Sequence, residues 1–486
     1  MDSVILDLHE KLVNKKISAE DLVNETLEKS KVIQDKLNPF VTICDPKDIK
    51  VDENVLSGIP YVAKDNLSTK DILSTANSNT LKDYVPFFDA TVISRLKEKN
   101  AVMIGKSTMD ELGLGCTGTT SHTGITKNPW DETRITGGSS SGSACLVASG
   151  IVPYALGSDT GDSIRKPAAY CGVVGYKPTY GVISRFGLFP FASSLDHVGV
   201  ITRTVKDAAI VVDNVIGIDS NDMTSIEMES NLEKSLNNSI KGKKLFYIKN
   251  VLDLNNYKNP SEDLKKIIEK FNETIKLAEK LGAVVEGIEF DVNLLNALFP
   301  IYQCISCAEA TSNDSNLTGI IFGPRGEGDN FIDMIKDHRT NGFCSLIKRR
   351  FVIGSYVLQK ENQEKYFLNA KRVRRLVVNK FNELFKDYDA LIIPASRTIA
   401  PKIDDANNVI KSIDPMMEVI ENYMCIGNFG GYPSITIPNG FVSNMPIGIN
   451  ITGKVKDDAN ILNIAYTLES NMEYKGQVAK GVNLWN

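Results

Sequence analysis

The sequence predicts an α/β fold, one unit built on a mixed, twisted central sheet covered by helices on both faces. Short apolar runs alternate with segments of helical periodicity along the chain. No internal repeat, low-complexity block or linker-like stretch divides it. With 486 residues, 42% of them hydrophobic and 24% charged, there is ample material for a large core. Residues 1–486 are therefore read as a single domain.

The elements follow in order. Residues 18–31 begin with Ser18 as a candidate N-cap and Asp21 three positions later, so a helix starts there. The run 58–67 (GIPYVAKDNL) reads as a short buried strand entering a turn, and AVMIGK (101–106) as another. Residues 204–217 read as a helix closing near a glycine. A strand–helix–strand unit follows: KKLFYI (243–248), a helix with Pro260 at its first position, then AVVEGIEF (283–290). In that helix Leu264, Ile267, Ile268, Phe271, Ile275 and Leu281 form one apolar stripe, closed by Gly282. DALIIP (389–394), SITIP (434–438) and IGINITG (447–453) complete the buried strands.

Composition excludes several classes of function. Lys and Arg total 55 against 60 Asp and Glu, a net charge of −5, which disfavours unaided binding of nucleic acid. There is no run of 18 apolar residues, so no transmembrane helix is expected, and the opening MDSVILDLHEKLVNKK does not read as a signal peptide. The eight cysteines read as reduced core thiols and the location as cytoplasmic. Cys304-x-x-Cys307 is the only close pair. With four histidines in the chain it lacks the partners of a zinc site, so no metal is expected. Neither a P-loop nor a dinucleotide-binding glycine fingerprint is present.

The chemistry is expected in residues 101–200, which hold 16 of the 35 glycines and few charges. Gly138-x-Ser140-x-Gly142 matches the nucleophile elbow of α/β-hydrolases. That reading would need His197 or His338 as base, and three serines between glycines satisfy the pattern by composition. A second cluster, Gly157-Ser158-Asp159-Thr160-Gly161-Asp162-Ser163-Ile164-Arg165-Lys166-Pro167, would turn successive N–H groups outward as an oxyanion hole. Lys64, in Pro60-Tyr61-Val62-Ala63-Lys64-Asp65, is either half of an ion pair with Asp65 or a desolvated amine able to act as base.

Taken together these residues resemble the amidase signature family, whose Ser–cis-Ser–Lys triad has a fixed order. Lys64 precedes Ser139 by 75 residues and Ser139 precedes Ser163 by 24, as that family has them. The resemblance implies Ser163 as nucleophile, Ser139 as the bridging serine in a cis peptide and Lys64 as base. Backbone N–H groups of Thr160, Gly161, Asp162 and Ser163 would form the oxyanion hole. It covers nearly the whole chain, is strongest over about 58–210 and is looser over about 211–300.

Within the family, Gly105-Lys106-Ser107-Thr108-Met109-Asp110-Glu111, Thr126-Lys127-Asn128-Pro129-Trp130-Asp131 and the run 171–209 are similar to the glutaminase (A) subunits of tRNA-dependent amidotransferases. That similarity implies glutamine as substrate and ammonia passed to a B subunit, with a C subunit clasping the two. The B subunit would amidate misacylated Glu-tRNA(Gln) or Asp-tRNA(Asn) with ATP and Mg²⁺; this chain itself would need no cofactor. A free-standing amidase of the same family is the alternative. Lys348-Arg349-Arg350-Phe351-Val352-Ile353-Gly354 is similar to the family's carboxylate-binding segment and gives Arg350 the substrate carboxylate. Glu421 falls where the family has an aspartate for the amino group, and Tyr302 would line the same pocket. Asp162 stands where the family has glycine, so it must accept whatever backbone angles that glycine adopts, and a cation such as Arg165 or Lys166, or a partner subunit, is expected to neutralise it.

Overall fold

The computed structural model describes residues 2–257, 259–411 and 423–479. Within them the strands are β1 Phe40–Ile43, β2 Pro60–Lys64, β3 Val102–Ser107, β4 Lys127–Asn128, β5 Asp131–Ile135, β6 Tyr154–Asp159, β7 Val174–Lys177, β8 His197–Thr202, β9 Lys244–Ile248, β10 Val284–Ile288, β11 Ala390–Pro394, β12 Ser434–Val442 and β13 Met445–Thr452. β4 and β5 pair alone. The others form one continuous sheet in the order β1-β3-β2-β6-β8-β7-β12-β13-β11-β9-β10. It is mixed: β3-β2-β6 and β11-β9-β10 run parallel, and the remaining neighbours are antiparallel.

Period-two burial explains why helices cover both faces. Tyr61 and Ala63 of β2 enter one apolar cluster with Leu96, Val211 and Phe271, whereas Val62 enters another with Val23, Ile33 and Val147. Far across the sheet, Ala390 and Ile392 of β11 join the first cluster, and Leu391 and Ile393 a third that contains Leu298 and Phe381.

Helix starts follow the caps in the sequence. Ser18 accepts the Asp21 N–H at 3.0 Å and opens the helix Ala19–Leu37; Thr204 accepts the Asp207 N–H at 3.1 Å and opens Val205–Asp213. One boundary differs from expectation. The helix Glu262–Lys280 is capped by Ser261, whose hydroxyl accepts the Leu264 N–H at 3.1 Å, so Pro260 lies before the cap instead of at the first helical position. A serine side chain satisfies an otherwise orphaned N–H, which a proline at the start cannot.

For the site, the central parallel strands matter most. β2 lies between β3 and β6, so Ser107, Lys64 and Asp159 end side by side at one edge of the sheet. Carboxyl ends of parallel strands are where open α/β sheets place ligands. The buried helix Ser141–Ala148 closes this edge, and its approach depends on one glycine. A Cβ at Gly142 would lie 2.2 Å from the Pro39 carbonyl oxygen and 2.6 Å from the Thr108 nitrogen, both backbone atoms that cannot swing aside. Gly142→Ala should therefore push the helix outward and lower stability by about 1–3 kcal/mol, the usual scale of overpacking, read as a lower midpoint in urea denaturation.

Candidate active site

Lys64 ends β2 fully buried. Its Nζ lies 2.7 Å from Ser139 Oγ, 2.9 Å from Ser158 Oγ and 3.3 Å from the Ser158 carbonyl. The ion pair with Asp65, the other arrangement expected, is not what forms. The Asp65 carboxylate turns the other way, accepting from the Thr75 and Asn77 N–H groups at 3.0 Å each. Burial pulls the Lys64 amine down to about 7, against the opposing pull of Asp110, Asp159 and Asp196. A neutral amine keeps two N–H donors for Ser158 and one lone pair for the Ser139 hydroxyl.

Ser139 follows a cis peptide at Gly138–Ser139, and the Asp110 N–H donates to its carbonyl at 3.3 Å. The Ser140 N–H donates to the Ser163 carbonyl at 3.1 Å, which ties this serine loop to the loop after β6. Ser163 is 5% exposed, and among the described residues its hydroxyl has no hydrogen-bond partner.

The loop 160–163 is held from beneath by a buried fork. Asp159 accepts from Arg165 Nη2 at 2.9 Å and Nε at 3.1 Å, and from the Ile164 N–H at 3.0 Å. Arg165 also donates to the Gly161 carbonyl at 2.7 Å and to Asn428 Oδ1 at 2.7 Å, while Asn428 Nδ2 returns to Asp159 at 2.9 Å. Despite complete burial, the Arg165 guanidinium holds the Asp159 carboxyl well below the usual carboxylate range. With carbonyls and side chains anchored below, the N–H groups of residues 160–163 donate to no acceptor among the described residues.

Arg350, on the helix Ser345–Leu358, is buried at 8% exposure. Among the described residues its Nε and Nη1 lack partners, and its guanidinium lies 5.4 Å from the centre of the Phe191 ring. Two unpaired nitrogens on a buried cation leave it with donors to spare for an anion. The basic triplet that would ordinarily be a solvated helix face thus turns its last member inward. Tyr302 comes against the loop 160–163: a Cβ at Gly161 would lie 3.0 Å from its ring. Burial pushes the Tyr302 phenol up, with Arg350 pulling it down and Asp162 adding to the rise. Glu421 lies outside the described residues.

Asp162 does not have a positive φ, and its carboxylate lies 3.6 Å from Lys166 Nζ, one of the two cations of this chain expected to neutralise it. Burial pushes the Asp162 carboxyl up, and Lys166 opposes the shift. The elbow alternative finds no support in the geometry. Ser140 Oγ is buried and donates to the Ser158 carbonyl at 3.2 Å, His197 Nδ1 lies 2.7 Å from the Leu195 carbonyl, and His338 Nδ1 lies 2.7 Å from that of Pro324. Neither histidine ring is hydrogen-bonded to a serine among the described residues.

Sequence reasoning missed Ser158 as a partner of Lys64 and the Asp159–Arg165–Asn428 fork. A polar Ser-Asp pair closing an otherwise apolar strand, followed six residues later by arginine, was the available signal for Ser158 and for the Asp159–Arg165 pair.

The sequence matches the Amidase family over residues 21–462. The chain belongs to this family. It is 38% identical to the A-subunit of the glutamyl-tRNA(Gln) amidotransferase of Pediococcus pentosaceus, covering 97% of each chain. It is equally identical to the corresponding protein of Streptococcus pneumoniae, covering 98% of this chain and 97% of the relative. Among solved structures, the A-subunit of glutamyl-tRNA(Gln) amidotransferase from Thermotoga maritima superposes with a TM-score of 0.78. It is 34% identical and covers 95% of this chain and 94% of its own. More distant neighbours, such as 6-aminohexanoate cyclic dimer hydrolase at 21% identity and a TM-score of 0.84, share the fold. Among the described residues no group of His, Cys, Asp or Glu is placed to hold a metal ion, and no helix is long and apolar enough to cross a membrane.

The fork offers the first test of the site. Asp159→Ala would leave Arg165 buried without its counter-charge and should cost about 3–5 kcal/mol of unfolding free energy. Arg165→Ala should cost a similar amount. Because both remove the same interaction, the double variant should be clearly less destabilised than the sum, as read in a denaturant double-mutant cycle.

Proposed function

We propose that this chain, working as a single domain over 1–486, is the glutamine-hydrolysing member of a tRNA-dependent amidotransferase. The observation that carries this reading is a fully buried amine, Lys64 Nζ, 2.7 Å from the hydroxyl of Ser139 at the mouth of the loop that bears Ser163. An amine drawn down to about 7 can accept a proton without a histidine. The names of the A-subunit relatives, matched over nearly the whole chain, support the substrate and the assembly.

In the proposed mechanism, neutral Lys64 takes the Ser139 proton, Ser139 takes that of Ser163, and Ser163 Oγ adds to the side-chain amide carbon of glutamine. The hydroxyls of Ser139 and Ser163 share no direct hydrogen bond here, so substrate binding would draw them into line, as catalytic hydrogen bonds commonly tighten in the complex. The N–H groups of Thr160, Gly161, Asp162 and Ser163 receive the oxyanion, where loss of one donor typically costs about 2.7–4 kcal/mol. The relayed proton leaves with ammonia, and water then hydrolyses the acyl-enzyme to glutamate by the same path in reverse. Arg350 takes the α-carboxylate, Tyr302 walls the pocket, and Glu421 takes the α-ammonium group.

Ammonia would pass to a B subunit that binds ATP and Mg²⁺ and amidates Glu-tRNA(Gln), or also Asp-tRNA(Asn), with a C subunit completing the complex. This chain needs no cofactor of its own in that scheme. All eight cysteines are free thiols, which suits a reducing cytoplasm.

Ser163→Ala and Lys64→Ala should each abolish glutamine hydrolysis, measured as glutamate release, while Ser140→Ala and His197→Ala keep most of it. Because the base works only when neutral, kcat/KM should fall as pH drops through about 7 and level off above it. A pH-independent rate between about 6 and 8 would exclude Lys64 as the titrating base.

Substrate choice can be tested separately. Arg350→Ala should raise KM for glutamine by about tenfold or more while hardly changing cleavage of a small neutral amide, which has no carboxylate to lose. Arg350→Lys should recover only part of the loss, since a point charge does not reproduce the fork. Equal losses on both substrates would make Arg350 structural.

A further inference from the structure

Asp159 and Arg165 hold the loop 160–163 by its Gly161 carbonyl and its exit at Ile164, and neither touches the side chain of Thr160. That side chain has a separate anchor. Thr160 Oγ1 donates to Asp196 Oδ1 at 2.6 Å, and Asp196 is 2% exposed. The Asp196 carboxylate is itself fixed: the Phe191 N–H donates to Oδ2 at 2.9 Å, and the Ala192 N–H lies 3.0 Å from Oδ2 and 3.1 Å from Oδ1. The turn that carries it is closed by Leu195 and Asp196 N–H groups donating to the Ala192 carbonyl at 2.8 and 2.9 Å. β8 begins one residue later and pairs with β6, His197 opposite Asp159. The carboxylate is thus rigidly mounted on the strand beside the nucleophile loop, and its side-chain hydrogen bond goes to the first residue of that loop.

We infer that Asp196 is a positioning residue for amide hydrolysis, acting through Thr160 to aim the loop's N–H groups and through its charge on the Lys64 amine. The inference rests on the reading of Lys64, Ser139 and Ser163 given above. Two physical effects distinguish it from a packing role. The first is geometric: when ionised, the carboxylate accepts both the Thr160 hydroxyl and the turn's amides, which a neutral isostere cannot do at both oxygens. The second is electrostatic. Asp196 is one of three acids, with Asp110 and Asp159, whose charge opposes the burial effect on Lys64.

The charged and titratable groups facing Asp196 are Arg185, Tyr180 and Lys64, together with Asp314 at the end of the helix Val292–Asn313. Burial lifts the Asp196 carboxyl to about 6, offset by the Thr160 hydrogen bond, the turn amides and Arg185. Burial likewise lifts Asp314 well above its ordinary range. Ionised Asp196 holds Thr160 in place while its charge favours the protonated form of Lys64, so its two effects on activity oppose each other at the acid limb.

The experiment measures glutamine hydrolysis from about pH 5 to 9 with the full chain in its complex, for Asp196→Asn, Thr160→Val and Thr160→Ser, with Ser163→Ala as reference. Asp196→Asn should lower kcat about tenfold or more with KM for glutamine nearly unchanged. Its acid limb should move to lower pH, because Lys64 loses a charge that favoured its protonated form. Thr160→Val should lower kcat similarly and leave the acid limb in place, and Thr160→Ser should recover most of that loss. An Asp196→Asn variant that is folded, with parental kcat and an unmoved limb, overturns the inference. If that variant does not fold, the Thr160 pair decides, and parental kcat in Thr160→Val overturns it. Activity surviving in Ser163→Ala would instead reject the mechanism beneath, whatever the Asp196 result.

Discussion

One buried ion pair, Asp159 with Arg165, is the constraint on which the site rests. A loop that leaves its own N–H groups unpaired inside a protein is costly, because each unmet donor forfeits the hydrogen bond it had in water. The loop 160–163 is stable because everything else about it is over-determined. Arg165 meets Asp159 through two nitrogens, donates to the Gly161 carbonyl, and reaches Asn428 and the Met424 carbonyl on the far side. Desolvating two charges is expensive unless every remaining lone pair and proton is used, and in this fork nearly all are. The fork also joins distant parts of the chain, so the central strand β6 and the residues just after 422 share one anchor.

The same edge of the sheet imposes the electrostatics. Lys64 and Lys106 lie on adjacent strands, both fully buried, yet they are treated differently. Lys106 is wrapped by hydroxyls and a carbonyl, Thr69 at 3.0 Å and Ser74 at 2.8 Å, on the side of Asp65. Lys64 is held by serines, and burial draws it lower, to about 7 against about 8 for Lys106. Acids at a distance, instead of one in contact, leave an amine able to lose its proton near neutral pH while still bonded to a hydroxyl.

How much of this was legible in the sequence follows from how local each signal is. The caps at Ser18 and Thr204 and the apolar strands were readable because propensity and side-chain period act within a few residues. The Pro260 boundary misled because two helix-start signals, Pro and Ser, were adjacent, and the one that pairs an N–H prevailed. Lys64, Ser139 and Ser163 could be grouped through the family's spacing, since nothing local links residues 75 and 24 positions apart. The partners of Thr160 and Arg165 were invisible for the same reason: Asp196 and Asn428 arrive through sheet topology, 36 and 263 residues away. The ion pair of Asp162 with Lys166 was legible, because the two are four residues apart. The tight approach falls on Gly161, where a Cβ would meet the Tyr302 ring at 3.0 Å.

An acid beside the proposed nucleophile, Ser163, still needs a physical account. In the proposed mechanism negative charge develops within a few ångströms of Asp162, and two unit charges about 4 Å apart at an effective dielectric of about 20 repel by roughly 4 kcal/mol. That equals the contribution of a good oxyanion donor, about 2.7–4 kcal/mol, so an ionised and unpaired Asp162 would cancel one N–H. One feature of the structure counters this: Lys166 Nζ lies 3.6 Å from the carboxylate and brings a compensating charge. Burial pushes the Asp162 carboxyl up from its ordinary value, with Lys166 opposing the shift. The donors themselves belong to the main chain, whose direction the fork at Asp159 fixes independently of the side chain at 162. A glycine-to-aspartate change is therefore compatible with the oxyanion site here because the neighbouring residue one helical turn on is a lysine.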